Sequence, residues 1–184
     1  MKLLPAELET ITSRSTDNPE AYQLLLMARS FSHADDMNSV KTARRLFGKA
    51  LEVDPNYARA YAGLADCDCR FLLNDEPGAS YETVIANSTK ALELDPGLAD
   101  AYASRGLALS TIGRPAAAEA AFARALSLDA SSFEANYFYA RNCFALGQHE
   151  KAIPLYLRAA ELKPHEYSTW GQLQMSYVTL GRVE

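Results

Sequence analysis

The stretch from Ala99 to Ser132, ADAYASRGLALSTIGRPAAAEAAFARALSLDASS, contains two short amphipathic helical patterns joined by a Gly-Arg-Pro turn. The same pattern begins again at Phe133, 34 residues after Ala99. A fixed period of roughly 20–50 residues is typical of repeat arrays, in which each unit packs against its neighbours. The sequence therefore predicts a stack of helix pairs rather than one closed core.

The rest of the 184-residue chain can be aligned to this unit. The predicted second helices end at Asp-Pro or Lys-Pro steps in every complete unit except 99–132, because the residue before a proline is pushed out of the helical region. The second helix of the first unit is predicted over 40–53, after a polar break at 33–38, and the second unit carries a long loop at 73–80. The predicted segments are an N-terminal lead with one or two helical turns at 1–18, complete repeats at 19–57, 58–98, 99–132 and 133–166, and the first helix of a truncated fifth repeat at 167–184.

Composition limits the class of protein. No stretch approaches the roughly 20 apolar residues of a transmembrane helix, and the N-terminus lacks a signal-peptide pattern. The net charge of −5 argues against non-specific binding to nucleic acid, which requires a basic surface. Three cysteines form no disulfide framework and favour a reducing, cytoplasmic location, while a periplasmic location of the parent protein stays open.

The sequence contains no pattern typical of an enzyme or a metal site. Cys67 and Cys69 are interpreted as a core residue and a partly exposed residue, with metal binding as the disfavoured alternative. No cofactor, metal or catalytic residue is expected, since no nucleophile has a base beside it and the three histidines have no nearby Cys or Asp at ligand spacing. These histidines are His33, His149 and His165.

Small and aromatic residues recur in fixed columns of the units. In the unit 99–132 they are Tyr102, Gly106, Leu109, Ala118, Phe122 and Ala125. In these columns residues 19–184 resemble a tetratricopeptide repeat array. The resemblance implies an all-α, right-handed solenoid of antiparallel helix pairs whose first helices line a concave face. The residues that depart from the family pattern are Arg105, Ala130, Asn136 and Gln174.

A second resemblance concerns the run TDNPEAYQLLLMAR and the later RRLFGKALEVDPNYARAYAGLAD. These segments resemble the first repeats found downstream of other domains in bacterial adenylate cyclases and winged-helix transcription regulators. The resemblance implies that the chain is a fragment of a longer signalling protein.

Function is expected on the concave face, where a peptide or protein segment would bind. Aromatic residues beside an arginine in the fourth unit are a mixture enriched at binding hot spots, although aromatics at helical spacing are more often core. The residues predicted to line this groove are Met27, Arg59, Asp66, Leu107, Tyr137, Phe138, Arg141, Phe144 and Met175.

Some family relatives bind acidic C-terminal tails through lysines, asparagines and an arginine. The corresponding columns of this chain hold none of these residue types, so that activity is not expected: they contain Gln23, Met27, Gly63, Asp100 and Ser104.

Two further expectations concern partners. The leading hypothesis is a scaffold that binds a peptide or another protein. The alternative is a regulatory module that acts on a cyclase or DNA-binding domain of its own polypeptide. In addition, Trp170, Leu173, Tyr177 and Leu180 are expected to form an exposed apolar strip, which predicts a homodimer through residues 167–184.

Overall fold

The computed structural model describes residues 16–32 and 36–181, and this part of the chain is entirely helical. The predicted lead falls almost wholly on residues 1–15, which lie outside the described residues. The all-α prediction is confirmed. The helices are α1 (Pro19–Ser32), α2 (Met37–Val53), α3 (Ala58–Leu73), α4 (Tyr81–Leu94), α5 (Ala99–Thr111), α6 (Pro115–Leu128), α7 (Phe133–Ala145), α8 (His149–Leu162) and α9 (Tyr167–Thr179).

Several helices begin at a capping side chain. The Asn18 side chain accepts hydrogen bonds from the first turn of α1, and Ser80 forms a reciprocal capping box with Thr83 at the start of α4. The predicted start of α2 at residue 40 is wrong by one turn. Asp36 Oδ1 accepts from the Ser39 backbone N–H at 2.9 Å, so the helix begins at Met37.

Three of the second helices end in the same aspartate turn. The Oδ1 atoms of Asp54, Asp95 and Asp129 each accept a backbone N–H two residues further on, at 3.0, 2.9 and 2.8 Å. The turn after Asp129 forms without proline. The aspartate is therefore sufficient for the turn, which explains why Ala130 is tolerated in the proline column.

The first helices form a continuous inner layer. Helices α1, α3, α5, α7 and α9 contact one another in succession, and each of α2, α4, α6 and α8 packs between the first helix of its own pair and the next one. In residues 16–32 and 36–181 the second helices do not pack on one another. The stack therefore has a compact inner side, as expected for a curved helical repeat.

The small and aromatic columns meet between helices α5 and α6. A Cβ atom added to Gly106 would lie 2.7 Å from the Phe122 ring, so only glycine allows this approach. Phe122 is fully buried, and its ring stacks on Tyr139 of the next pair with centroids 5.0 Å apart. Aromatic contacts thus connect successive pairs in this half of the molecule.

The second pair, α3 and α4, is built differently. Buried Ser88 occupies the column that holds Phe122 in the next pair. Asp68 is only 1% exposed; it accepts from Arg44 Nε at 2.5 Å and from the Thr83 hydroxyl at 3.2 Å. Arg44 also donates to the Gly78 carbonyl at 2.8 Å. An ionic network between α2, α3 and the following loop therefore takes part in holding this pair.

Cys69 is a correction to the sequence interpretation. It was expected to be partly exposed, yet it is 1% exposed, and its thiol donates to the Ser104 carbonyl at 3.7 Å. Burial raises the pKa of both Cys67 and Cys69 well above the ordinary thiol value. The thiolate forms that metal binding requires are therefore disfavoured.

The described helices differ from membrane-spanning helices in length and composition. None of them combines the length and the apolar character that a membrane crossing requires.

Candidate functional site

Two adjoining pockets lie along the inner layer of first helices. The first pocket has a volume of about 210 Å³ and is bounded by α3 on one side and by α7 and the α8–α9 turn on the other. The second pocket, of about 90 Å³, lies between α1, α3 and α5. Asp66 and Glu134 line both, so we treat the two pockets as one groove.

Asp66 is the central acidic group of this groove. Its Oδ1 atom is buried and has no hydrogen-bond partner. Burial, helped by the negative charges of Glu134 and Asp100 and opposed by Arg70 and Lys163, raises the pKa of Asp66 to about 7. Near neutral pH the groove therefore contains a carboxyl group that is poorly compensated when it is ionised.

The opposite wall is an ordered aromatic and polar network on α7. Arg141 Nη1 donates to the Tyr137 hydroxyl at 3.4 Å, and that hydroxyl donates to Ser168 Oγ at 3.2 Å. Ser168 in turn donates to Glu166 Oε1 at 2.7 Å. The Tyr137 ring stacks on Phe133 with centroids 5.4 Å apart. These bonds hold the aromatic edges in a fixed position beside the first pocket.

Two of the positive charges around the first pocket, those of Lys163 and Arg70, already have neighbours. Lys163 Nζ lies 3.0 Å from Glu134 Oε1 and 4.2 Å from the centroid of the Phe133 ring. Arg70 donates to the Ser32 carbonyl. Lys163 and Arg70 therefore stabilise the rim of the groove through these contacts.

The second pocket is also mixed in charge. Arg29, Arg59 and Asp100 line it together with Asp66. Burial and the nearby Glu134 raise the pKa of Asp100, against the attraction of Arg29. The Arg59 Nε atom is buried without a hydrogen-bond partner. The groove thus alternates acidic and basic groups along its length.

The structure brings five of the nine predicted groove residues together. Asp66, Tyr137, Phe138 and Arg141 line the first pocket, and Arg59 joins Asp66 in the second. Tyr137 and Phe138 are 7% and 3% exposed, so only a small part of each side chain lines the pocket and the rest is core.

The other four predicted residues lie outside both pockets. Leu107 is buried in the core, and Met27 and Met175 are exposed on α1 and α9. Phe144 is half-buried, with its ring edge-on to His149 at 5.0 Å between centroids.

The sequence interpretation missed several residues of the first pocket. Glu134 could have been found, because it lies 34 residues after Asp100 in the same column of the repeat. Arg70 and Lys163 gave no comparable signal, since one lies near the end of α3 and the other follows α8. Their place in the groove depends on the curvature of the whole stack.

Comparisons with known proteins agree with this architecture. The tetratricopeptide repeat family profile matches residues 103–167. Among solved structures, the chain is similar to a thermophilic TPR protein of Thermus thermophilus, with a TM-score of 0.65, 19% identity, and coverage of 88% of this chain and 84% of that one.

Two other similarities are to a peptide-bound TPR structure and to a bacterial protein. The chain is similar to the first TPR of Spaghetti (RPAP3) bound to the HSP90 peptide SRMEEVD, with a TM-score of 0.56, 22% identity, and coverage of 67% of this chain and 95% of that one. It is also 35% identical over 80 residues to putative adenylate cyclase 3 of Rhizobium meliloti (strain 1021). That match covers 44% of this chain and spans 14% of the length of the cyclase.

Proposed function

We propose that this chain, whose residues 103–167 match the tetratricopeptide repeat family profile, is a protein-interaction module that binds a segment of another protein in the groove between α3 and α7. The observation that carries the proposal is the first pocket itself, a cavity of about 210 Å³ with an aromatic wall and an unpartnered buried carboxylate oxygen. Concave sites that combine apolar walls with a few placed polar groups are the usual form of ligand sites. The role is binding and not catalysis.

The arrangement favours an extended or helical segment with at least one inserted side chain. The ring edges of Phe133, Tyr137 and Phe138 offer apolar contact inside the pocket, while Arg141 and Ser168 offer hydrogen bonds at its rim. A central apolar contact surrounded by polar groups is the usual anatomy of a protein interface.

The proposal can be tested with defined peptide probes. Fluorescein-labelled hexapeptide pools, each with one fixed residue type and mixed residues elsewhere, would be titrated against the chain by fluorescence polarisation. At least one pool is expected to bind. Asn74 lies at the exposed rim of the first pocket, so Asn74→Trp should block entry and weaken binding at least about tenfold.

A matched control keeps this test specific. Ser127 is exposed on α6, outside both pockets, and Ser127→Trp should leave binding unchanged. Binding that is insensitive to Asn74→Trp, or lost equally in both variants, would overturn the groove assignment.

The similarity to a putative adenylate cyclase supports a second candidate function. In that case the chain would be a regulatory module whose groove receives a segment of its own polypeptide, attached to a cyclase or a DNA-binding domain. Peptide binding by the full-length protein distinguishes this candidate from the first one. A segment of the same polypeptide that occupies the groove would compete with the peptide pools and weaken their binding. Full-length protein that binds the pools as tightly as the 184-residue chain would contradict the second candidate.

A further inference from the structure

Building on the proposed groove function, we propose that the bound segment carries a lysine or arginine side chain whose cationic group is received by Asp66 at the junction of the two pockets. The ligand class is thus a basic peptide segment with a neighbouring apolar side chain.

The first reason is the state of the Asp66 carboxylate. Oδ1 is buried and has no hydrogen-bond partner, while Asp66 as a residue lines both pockets of the open groove. A buried polar atom without a partner carries a large desolvation cost. An ammonium or guanidinium group that enters from the groove would remove this cost through a charge-assisted hydrogen bond.

The second reason is that the nearby cations leave Asp66 under-compensated. Lys163 is paired with Glu134, and Arg70 bonds the Ser32 carbonyl. The pKa of Asp66 is nevertheless raised, mainly by burial and then by Glu134 and, to a smaller extent, Asp100. The surroundings therefore favour the arrival of one more positive charge.

The third reason is the wall opposite Asp66. Lysine and arginine side chains have apolar stems and cationic heads, so they need apolar contact along the stem. Half-buried Phe133, with the small exposed parts of Tyr137 and Phe138, supplies such a surface in the same pocket. Aromatic faces in this part of the molecule already hold cations, since Arg141 lies 5.8 Å from the Tyr137 ring and Lys163 lies 4.2 Å from the Phe133 ring.

The charges in the repeat columns also favour a basic ligand over an acidic one. Asp100 occupies a column in which family members that bind acidic tails are expected to carry a basic or amide group, and Glu134 repeats that acidic choice 34 residues later. Both carboxylates lie close enough to Asp66 to raise its pKa. An acidic ligand would meet like charges at the centre of the groove.

The test uses the same peptide pools with the fixed residue set to arginine, lysine, leucine or glutamate. The arginine and lysine pools should bind at least about tenfold more tightly than the glutamate pool. Asp66→Asn should abolish that preference while leaving binding of the leucine pool unchanged. Glu93→Gln, an exposed carboxylate variant outside both pockets, should retain the preference.

The outcomes separate the two proposals. Equal or tighter binding of the leucine or glutamate pools, blocked by Asn74→Trp, would overturn the basic-ligand inference and leave the groove function standing. A basic preference that survives Asp66→Asn would also overturn the inference. Failure of every pool to bind the wild-type chain would overturn both proposals.

Discussion

Helices α3 and α7 have the same place in their repeats and face the same pocket, yet they differ in chemistry. Helix α3 presents Asp66 and Arg70, while α7 presents Phe133, Tyr137 and Phe138. The repeat fold constrains the packing columns and leaves the inner columns free to diverge. The groove therefore has a charged wall on α3 and, on α7, a wall that combines three aromatic residues with Glu134 and Arg141.

The contrast continues behind the two walls. Behind α3 lie buried Ser88 and the buried Asp68 carboxylate with its partly exposed partner Arg44, whereas the third and fourth pairs stack the rings of Phe122 and Tyr139. Helix α3 also packs Gly63 against the buried Phe47 ring, so the difference between the two regions is the added ionic network behind α3 and the ring of Phe122 in place of Ser88. Substitutions in the ionic network and in the aromatic contacts show how much each of them contributes to the free energy of unfolding.

The largest effect is expected in the column shared by Phe122 and Ser88. Phe122→Ala should lower the free energy of unfolding by about 3–4 kcal/mol, because it leaves a cavity against Gly106 and Tyr139. Ser88→Ala should cost less than about 1 kcal/mol, since it removes a single hydroxyl that bonds the Ile85 carbonyl. Urea denaturation followed by circular dichroism measures both, and similar losses would contradict the proposed difference between the two regions.

The second-largest effect is expected in the ionic network of Arg44 and Asp68. Arg44→Met should cost about 3 kcal/mol, because it leaves the Asp68 carboxylate buried without its cation. Adding Asp68→Leu to this variant should recover most of the loss. Lys90→Met, which removes an exposed pair with Glu93, should change stability by less than about 0.5 kcal/mol. A double variant no more stable than Arg44→Met would show that the unpaired charge is not the cause.

A smaller, pH-dependent effect is expected at Asp66. Its pKa rises from 3.8 to about 7 on folding, so the folded chain holds a proton that the unfolded chain releases near pH 4. Stability should therefore fall as the pH rises from about 4 to 7. Asp66→Asn should add about 2 kcal/mol at pH 8 and much less near pH 4.

The Asp66 prediction is checked by urea midpoints measured across this pH range. Glu93→Gln, in which an exposed carboxylate is removed, is the control and should leave the pH profile unchanged. An identical pH profile for wild type and Asp66→Asn would contradict the raised pKa.

The smallest expected effect concerns α9. Trp170 and Met175 are 45% and 52% exposed on this helix, whereas Leu173, which was predicted to be exposed with them, is buried. Tyr177 and Leu180, the other members of the predicted strip, are partly buried against the core, and Met175 was not part of that strip. We expect weak self-association through Trp170 and Met175. Met175→Lys should shift the equilibrium toward monomer in sedimentation velocity at tens of micromolar. A wild-type chain that is wholly monomeric there would contradict the predicted dimer.

The helices could be predicted from sequence because their signals are local. Asp54 before Pro55 marks the end of α2, which falls at the predicted residue 53, and α4 begins directly after the predicted loop at 73–80. The exposure of individual residues depends on neighbours that are distant in sequence. Cys69 is covered by Ser104 of the next first helix, and no pattern around Cys69 indicates that contact.

The groove was predictable only in its general location. Periodicity placed Asp66, Tyr137 and Arg141 on the inner face, and all three line the first pocket. Periodicity could not show that Tyr137 and Phe138 are mostly core, because a residue between two first helices can contribute to the core and to the pocket at once. Periodicity also could not predict the contact between Lys163 and Glu134. That contact joins the turn after α8 to α7, and the two residues are 29 positions apart in sequence.

The packing of the first helices determines how far apart the two walls of the groove lie. The α3 and α7 backbones do not pack on each other, and α5 lies between them and contacts both. The distance between the two walls therefore depends on how α5 is tilted against its neighbours. Because the pairs pack on one another along one side only, the stack can bend by changing the tilt between neighbouring helices. A ligand that contacts both walls fixes this tilt, and the packing of α5 opposes any change that binding requires. Affinity for the groove should consequently vary with substitutions in α5 that never touch the ligand.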